Sequence, residues 1–325
     1  MLVGNRFVFG SATFFLLGLA ACAVPENTDA PAASIRDGDA AAVGMSAAEL
    51  ADIAPAMQEL LDDGRTGGIM TLVARDGTIV HWQAHGWRVV GEDALERNDI
   101  FRIYSMTKPI VTTAAMMLVE EGALRLEQPL SEIIPSFSDV QVYDEGQLRP
   151  PQRPLTIRDL MRHTSGLTYG LFGNHPVDLI YRERLNLLGR DTGMNTRETA
   201  DAIAAMPLLA DPGTRWNYSV SIDVLGAVVE VVSGMPLDEF LQTRIFEPLK
   251  MVDTGFDVEA SKLDRLLAVY EVRDGALTMT DSPVDGPFTR PPSWFSGGGG
   301  LMSTPMDYLR FAQMLLNDGE LEGER

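Results

Sequence analysis

The sequence predicts a domain of mixed α and β structure (α/β, in the α+β sense). An amphipathic run over residues 46–61 has helical spacing. Two β-like runs, at 68–74 and 78–87, are joined by a turn dipeptide. The stretch from residue 107 to about residue 290 has the pattern of helices and long loops. The chain therefore combines an antiparallel hairpin with a mostly helical body.

Length and charge limit the possible partners. The chain has 325 residues, of which 45% are hydrophobic, with a mean hydropathy of +0.01. This is enough to bury a sizeable core as one large domain or two interleaved ones. The formal net charge is −20 and no basic cluster interrupts it. Because phosphate backbones repel such a surface, nucleic acid is excluded as a partner.

The first 22 residues predict an export signal. Arg6 supplies a positive charge, and residues 7–21 form an uncharged apolar run that is too short for an ordinary spanning helix. The run ends in Leu-Ala-Ala-Cys22, which resembles the cleavage box of bacterial lipoproteins. We therefore expect Cys22 to be lipidated and to anchor the protein to the envelope, facing the periplasm or the cell exterior. Cys22 is the only cysteine, so an intramolecular disulfide cannot form.

Residues 23–45 predict a flexible tether, because they are rich in Ala, Asp and Pro and poor in large apolar residues. The folded domain is expected to cover residues 46–325. Ser46 and Glu49 have capping-box spacing and open its first helix. The lipid anchor would then be the protein's only contact with the membrane.

A hairpin is predicted at Asp76-Gly77, a strong turn signal between two β-like runs. His81 and His85 lie on one face of its second strand. Residues four apart on a strand are separated by roughly 13 Å, too far to share one metal ion. We expect both to be exposed, with no metal site. The sequence implies no organic cofactor either.

The most informative pattern is Ser105-Met-Thr-Lys108 at the start of a predicted helix that stops near Gly122. Residues three apart share a helix face at about 5–6 Å between Cβ atoms, so Lys108 can reach the Ser105 hydroxyl. Serine is a weak nucleophile at neutral pH and needs an adjacent base. Taken alone, the pattern also fits a serine near a helix start with a solvated lysine.

A second capping pair, Thr156 and Asp159, opens a short helix for which Gly166 is the expected stop. His163 and Ser165 follow within it. They do not face each other on a helix, and no Gly-x-Ser-x-Gly elbow occurs in the chain. We therefore interpret His163 as structural.

Tyr218 is predicted on a loop just ahead of a helix over residues 222–234, and it could serve a Ser-Lys pair as a proton carrier. Four glycines at 297–300 allow close backbone approach. Ser303 is the expected N-cap of the final helix, with Pro305 in its first turn.

Several ordered motifs together resemble the serine β-lactamase and penicillin-binding superfamily. Within it the chain is similar to the class C-like branch and most of all to family VIII carboxylesterases, over about residues 46–319. The motifs are Tyr-Ser-Met-Thr-Lys at 104–108, Arg-His-Thr-Ser-Gly-Leu at 162–167, Pro-Gly at 212–213 with Trp216, Tyr-Ser at 218–219, Asp-Val-Leu-Gly at 223–226, and residues 297–304.

The resemblance implies an antiparallel sheet flanked by helices, with a mostly helical region inserted and the active site in the cleft between. It also implies roles for three residues. Ser105 would attack an acyl carbonyl, with its backbone N–H as one oxyanion donor. Lys108 would take or orient the serine proton, and Tyr218 would act as acid and base. Which of the two is the working base stays open at this stage.

Two departures from the family pattern matter. Val220 stands where class C β-lactamases carry an asparagine, which favours ester over β-lactam substrates. The closing strand with its Lys-Thr-Gly or equivalent tripeptide does not follow the last helix, so we expect the C-terminal strands of the fold to be missing and the domain to be truncated. That strand normally offers the second oxyanion donor.

The predicted function is a serine hydrolase that acts on small acyl esters through a covalent acyl-enzyme. One alternative is a β-lactamase or a D-amino-acid-specific cell-wall peptidase, and another is a non-catalytic, wall-binding lipoprotein. Tyr104, Trp294 and Phe295 are candidate substrate contacts, although aromatic residues near glycines more often belong to the core.

Overall fold

The computed structural model describes residues 34–185 and 190–325. The export signal and Cys22 lie outside the described residues. Ten strands, nine α-helices and several short 3₁₀ turns occur within the described part. The strands are β1 Arg36–Asp37, β2 Gly68–Arg75, β3 Thr78–Val89, β4 Asp93–Ala94, β5 Phe101–Arg102, β6 Val142–Asp144, β7 Gln147–Arg149, β8 Val269–Arg273, β9 Ala276–Asp281 and β10 Met302–Ser303. The helices are α1 Ala47–Ala51, α2 Ile53–Asp62, α3 Thr107–Glu120, α4 Ile157–Met161, α5 Pro176–Arg184, α6 Thr196–Ala204, α7 Ser221–Ser233, α8 Leu237–Leu241 and α9 Pro305–Leu316.

The main sheet has the order β1-β3-β2, with β4 added on β3. Strands β2 and β3 form the predicted antiparallel hairpin. Asp76 and Gly77 both have positive φ, 49° and 71°, as a type I′ turn requires. β1 pairs with β3 in parallel, so residues 36–37 of the predicted tether are bound to the domain. The folded domain therefore begins before residue 46, and the predicted tether boundary at residue 45 is wrong.

Helix α7 is the centre of the main core. Each residue from Ser221 to Val229 is buried, because helices α3, α4, α6 and α8 surround it. A helix that is apolar on all sides is expected to be buried in this way. Helix α3 contributes Ile110, Val111 and Ala114, all fully buried. The two helices that carry or flank the candidate site residues are thus packed directly against each other.

A two-stranded pairing brings the nucleophile segment to the glycine segment. Strand β5 precedes Ser105, and β10 follows the four glycines. Met302 pairs with Arg102, and the Ile103 N–H donates to the Leu301 carbonyl at 3.0 Å. Residues almost 200 positions apart in the chain are therefore fixed side by side.

Several local predictions were wrong. The N-terminal run forms two helices because Pro55 has no N–H to donate to the Ala51 carbonyl. Helix α4 ends at Met161 and not at Gly166, and the chain reverses at His163, which has φ 54°. The final helix is capped by Thr304, whose hydroxyl accepts from Asp307 N–H at 3.2 Å.

Strand content was also underestimated. The predicted helical body contains two hairpins, β6–β7 and β8–β9. The turn of β8–β9 is Asp274-Gly275, with φ 51° and 78°, the same dipeptide and geometry as the predicted hairpin at Asp76-Gly77. The same turn signal is therefore present in the sequence at both hairpins.

His81 is buried and not exposed as predicted. Its Nε2 lies 2.7 Å from the Thr71 hydroxyl on the neighbouring strand. Across the described ranges, no group of three or more His, Cys, Asp or Glu side chains is arranged to hold a metal ion. No helix within those ranges is long and apolar enough to cross a membrane.

Candidate active site

Ser105 lies in a 3₁₀ turn, Tyr104–Met106, between strand β5 and helix α3. Its side chain is exposed to the solvent. Tyr104 has φ 42°, a left-handed conformation that costs a non-glycine residue roughly 1–2 kcal/mol. Such strain is often found at functional sites. The sharp strand-to-helix turn presents the Ser105 hydroxyl at the surface of the domain.

Lys108 lies in the first turn of α3 and is buried, with 8% of its surface exposed. Its Nζ donates to Ser105 Oγ at 3.2 Å and to the Gly298 carbonyl at 2.5 Å. The same nitrogen lies 4.6 Å from the ring centroid of Tyr218 and 5.4 Å from that of Tyr169. Two hydrogen bonds and two aromatic faces thus fix the amine beside the serine.

Tyr218 completes the set, because its hydroxyl donates to Ser105 Oγ at 2.7 Å. The structure therefore brings Ser105, Lys108 and Tyr218 together, as the sequence predicted. Each of the two partners is within hydrogen-bond reach of the serine oxygen, the distance that a general base requires.

The loop that carries Tyr218 is held by the segment after α4. Gly213 N–H donates to the Thr164 carbonyl at 2.7 Å, and Asn217 N–H donates to the His163 carbonyl at 2.8 Å. The start of this segment is fixed in turn by Asp159, which binds the Arg153 guanidinium at 2.6 and 2.8 Å. The second capping pair of the sequence, Thr156 and Asp159, thus serves the site indirectly.

His163 packs its ring against Tyr218, with the ring centroids 4.8 Å apart. Ser219 N–H donates to His163 Nδ1 at 3.3 Å, so this nitrogen is an acceptor. Burial, with a further contribution from the positive charge of Lys108, lowers the pKa of His163 from 6.5 to about 4. The ring is therefore neutral at pH 7. Its contacts support the structural role predicted for it.

Asp223 is a site residue whose role the sequence analysis missed. It lies on α7 with 3% exposure, and burial raises the pKa of its carboxyl. It accepts hydrogen bonds from Ser296 Oγ at 2.6 Å, from Gly298 N–H at 2.9 Å and from Tyr169 Oη at 3.2 Å. An aspartate inside the apolar run of α7 was the available signal, since buried charges require partners.

The glycine segment packs tightly against α7. A Cβ atom on Gly298 would lie 2.3 Å from Asp223 Oδ2, and one on Gly297 would lie 2.4 Å from the Ile222 carbonyl. Only glycine fits at such approaches. The N–H groups of Gly298, Gly299 and Gly300 all have acceptors within the protein. The segment therefore contributes a carbonyl for Lys108, and its amides are already engaged.

These residues open onto a cavity of about 330 Å³. Tyr104 and Trp294 line it, and their role as substrate contacts stays a prediction. Phe295 does not line it, because its ring packs against Phe256 at 5.0 Å between centroids. Arg190, which the sequence analysis did not single out, is part of the wall. The lining residues are Tyr104, Ser105, Tyr169, Leu171, Phe172, Arg190, Tyr218, Phe288, Trp294, Ser296, Gly298, Gly299 and Gly300.

A serine lies between a strand and a helix, a lysine follows it one turn later, and a tyrosine hydroxyl donates a hydrogen bond to the serine oxygen. This arrangement defines the class of serine hydrolases with a Ser-x-x-Lys nucleophile. Comparison with known proteins agrees. The family model described as Beta-lactamase matches residues 53–325. The chain belongs to this family, and it is an enzyme of the serine hydrolase type.

Individual relatives support the assignment. Protein Rv1367c of Mycobacterium tuberculosis is 36% identical over 275 residues, which are 83% of this chain and 67% of that protein. Esterase EstB of Burkholderia gladioli is 33% identical over 298 residues, covering 84% of this chain and 71% of the esterase. The solved structure of EstCE1, a hydrolase with promiscuous acyltransferase activity, superposes with a TM-score of 0.72 at 27% identity, covering 86% of this chain and 75% of that one. The predicted superfamily and fold are confirmed.

The environment of His163 generates a pH prediction. Because its folded pKa lies below 6.5, the unfolded chain binds more protons between about pH 6.5 and pH 4. Stability should therefore fall as the pH is lowered through this window. With allowance for partial exposure, the loss from this residue is about 1–2 kcal/mol.

The test compares the wild type with His163→Asn by urea denaturation at pH 7.5 and pH 4.5. Asparagine tolerates the positive φ and can still accept from Ser219 N–H. The wild type should lose more stability than the variant on acidification. Equal losses in the two proteins would show that His163 does not titrate in this way.

Proposed function

We propose that this protein hydrolyses small carboxylic esters through an acyl-enzyme on Ser105. The observation that carries the proposal is the placement of Ser105 Oγ within 3.2 Å of Lys108 Nζ and 2.7 Å of Tyr218 Oη at the wall of a cavity. A hydroxyl with two such neighbours can lose its proton as it attacks a carbonyl carbon.

The proposed reaction has two halves. Ser105 Oγ forms a bond to the acyl carbon while its proton passes to the Lys108–Tyr218 pair, and the ester C–O bond breaks as that proton is delivered to the leaving alcohol. Water then attacks the acyl carbon and gives a proton to the same pair. The bond between that carbon and Ser105 Oγ breaks, the pair returns the proton to Ser105 Oγ, and the acid is released. The Ser105 backbone N–H is the proposed donor to the oxyanion.

Three features favour esters over β-lactams. Val220, at the position of the class C asparagine, is fully buried and offers no amide to a lactam side chain. The cavity volume is near the lower end of the range for ligand sites, and aromatic and glycine residues form most of its wall. Among the relatives, EstB is named an esterase and EstCE1 a hydrolase.

Steady-state kinetics test the proposal. The full chain, kept in detergent micelles, should turn over 4-nitrophenyl butyrate with a higher kcat/KM than a chromogenic cephalosporin. Ser105→Ala should lower ester turnover by at least about 10⁴-fold, as removal of a nucleophile does in other serine hydrolases. Ser261→Ala is the matched control, because Ser261 is exposed and lies outside the cavity wall.

Faster cephalosporin turnover would instead favour the β-lactamase alternative. Absence of turnover with both substrates, from protein with a cooperative melting transition, would favour the non-catalytic wall-binding alternative. Either result would contradict the ester proposal.

We also propose that the enzyme is exported and lipid-anchored through Cys22. The support is the charged start, the apolar run and the Leu-Ala-Ala-Cys sequence at its end. In a bacterial host fed radiolabelled palmitate, the wild type should carry label and sediment with membranes. Cys22→Ser should be unlabelled. Equal labelling of the two would contradict a lipid on Cys22.

A further inference from the structure

Arg190 is the one charged side chain among the described residues that line the cavity. The rest of the wall consists of aromatic residues, glycines, serines and a leucine, with no aspartate or glutamate. This composition is unexpected in a chain whose net charge is −20. The cavity therefore presents a positive charge inside a strongly negative protein.

The guanidinium is held in place by neutral groups. Its Nε donates to the Pro287 carbonyl at 3.2 Å, its Nη1 donates to the Gly300 carbonyl at 3.2 Å, and its Nη2 donates to the Phe256 carbonyl. It also lies over the ring of Phe288, 4.0 Å from the centroid. A guanidinium has five N–H groups, so these three bonds leave two for a further acceptor.

No carboxylate lies within ion-pair distance of this guanidinium in the described part of the chain. Arg190 forms no ion pair there. Two carboxylates, Asp257 and Asp281, act on its charge without direct contact, and Asp281 is paired with Arg102 at 2.6 Å. Burial lowers the pKa of Arg190 to about 10, which leaves it cationic at neutral pH. A partly dehydrated cation without an ion-pair partner favours the binding of an anion.

We propose that Arg190 binds a carboxylate of the substrate, so that the preferred esters carry a negative charge at a distance from the reacting carbonyl. The inference rests on the proposed esterase function and narrows its substrate class. A planar carboxylate matches the two remaining N–H groups of a fixed guanidinium. The neutral aromatic wall would accommodate the carbon chain between the two ends.

The spacing can be judged from the contacts around Phe288. Its ring lies under Arg190 and makes an edge contact with Tyr104, the residue before Ser105, at 6.4 Å between centroids. Along the glycine segment, Arg190 binds the Gly300 carbonyl while Lys108 binds the Gly298 carbonyl. One aromatic ring and a three-residue backbone segment thus connect Arg190 to the surroundings of Ser105 and Lys108, and such a short connection suits a short dicarboxylic monoester or an aryl carboxylate.

The first test compares 4-nitrophenyl pentanoate with mono-4-nitrophenyl glutarate. The acyl chain of the first ester ends in a methyl group, and that of the second ends in a carboxylate. Rates are corrected for spontaneous hydrolysis with Ser105→Ala. The wild type should prefer the glutarate in kcat/KM, and Arg190→Met should reduce that preference by about 10- to 100-fold, as expected for a charge-assisted hydrogen bond. Arg190→Lys should retain part of it.

Arg273→Met is the matched control. Arg273 lies on the exposed β8–β9 hairpin, pairs with Glu271 at 2.9 Å, and should leave the preference unchanged. A second pair of substrates, the butyrate esters of 4-hydroxybenzoate and of its methyl ester, places the anion on the alcohol side. Loss of preference in either series supports the inference. An unchanged ratio in both series overturns it.

Binding without turnover separates this inference from the esterase proposal. Calorimetric titration of Ser105→Ala with benzoate and with benzamide needs no catalysis. Tighter binding of benzoate, which is lost in the Ser105→Ala/Arg190→Met double variant, would support the carboxylate site even if esters were not hydrolysed. Equal binding of benzoate and benzamide to Ser105→Ala would overturn the carboxylate site while leaving the esterase proposal intact. This comparison of two ligands does not depend on an Arg190 variant.

Discussion

The candidate site depends on one buried chain of contacts that runs from Asp223 through Gly298 to Lys108. Asp223 accepts from the Gly298 N–H, and the carbonyl of the same glycine accepts from Lys108 Nζ, which reaches Ser105. A buried donor left unsatisfied costs about 1–3 kcal/mol, so the carboxylate strongly favours a single position of the glycine segment. That position fixes the lysine, and the absence of a Cβ on Gly298 makes it possible.

Tyr218 and the Ser105–Lys108 pair come from distant parts of the chain, and helix α7 aligns them. Tyr218 lies just before α7, Asp223 lies in its first turn, and its sides pack against α3, which carries Lys108. Because every residue of α7 from 221 to 229 is buried, the helix has little freedom to shift. The pairing of β5 with β10 holds Ser105 close to the glycine segment.

Signals that act over a few residues were predictable from the sequence. The hairpin at Asp76-Gly77, the caps at Ser46 and Thr156, and the spacing of Ser105 and Lys108 follow from local geometry. The family resemblance then supplied Tyr218. Other features depend on contacts between segments that are far apart in the chain. They are the role of Asp223, the position of the Arg190 charge in the cavity and the packing of Phe295 against the core. No periodicity or motif encodes which of several aromatic residues faces a cavity.

The most direct test of this account is intact-mass analysis after exposure to a fluorophosphonate, comparing the wild type with Lys108→Met. Methionine has nearly the length of lysine and suits a buried site, so the variant is expected to fold. If Lys108 activates Ser105 as proposed, the wild type gains one adduct that maps to Ser105, and the variant gains none under the same exposure. Labelling of folded Lys108→Met at the wild-type rate would contradict the account.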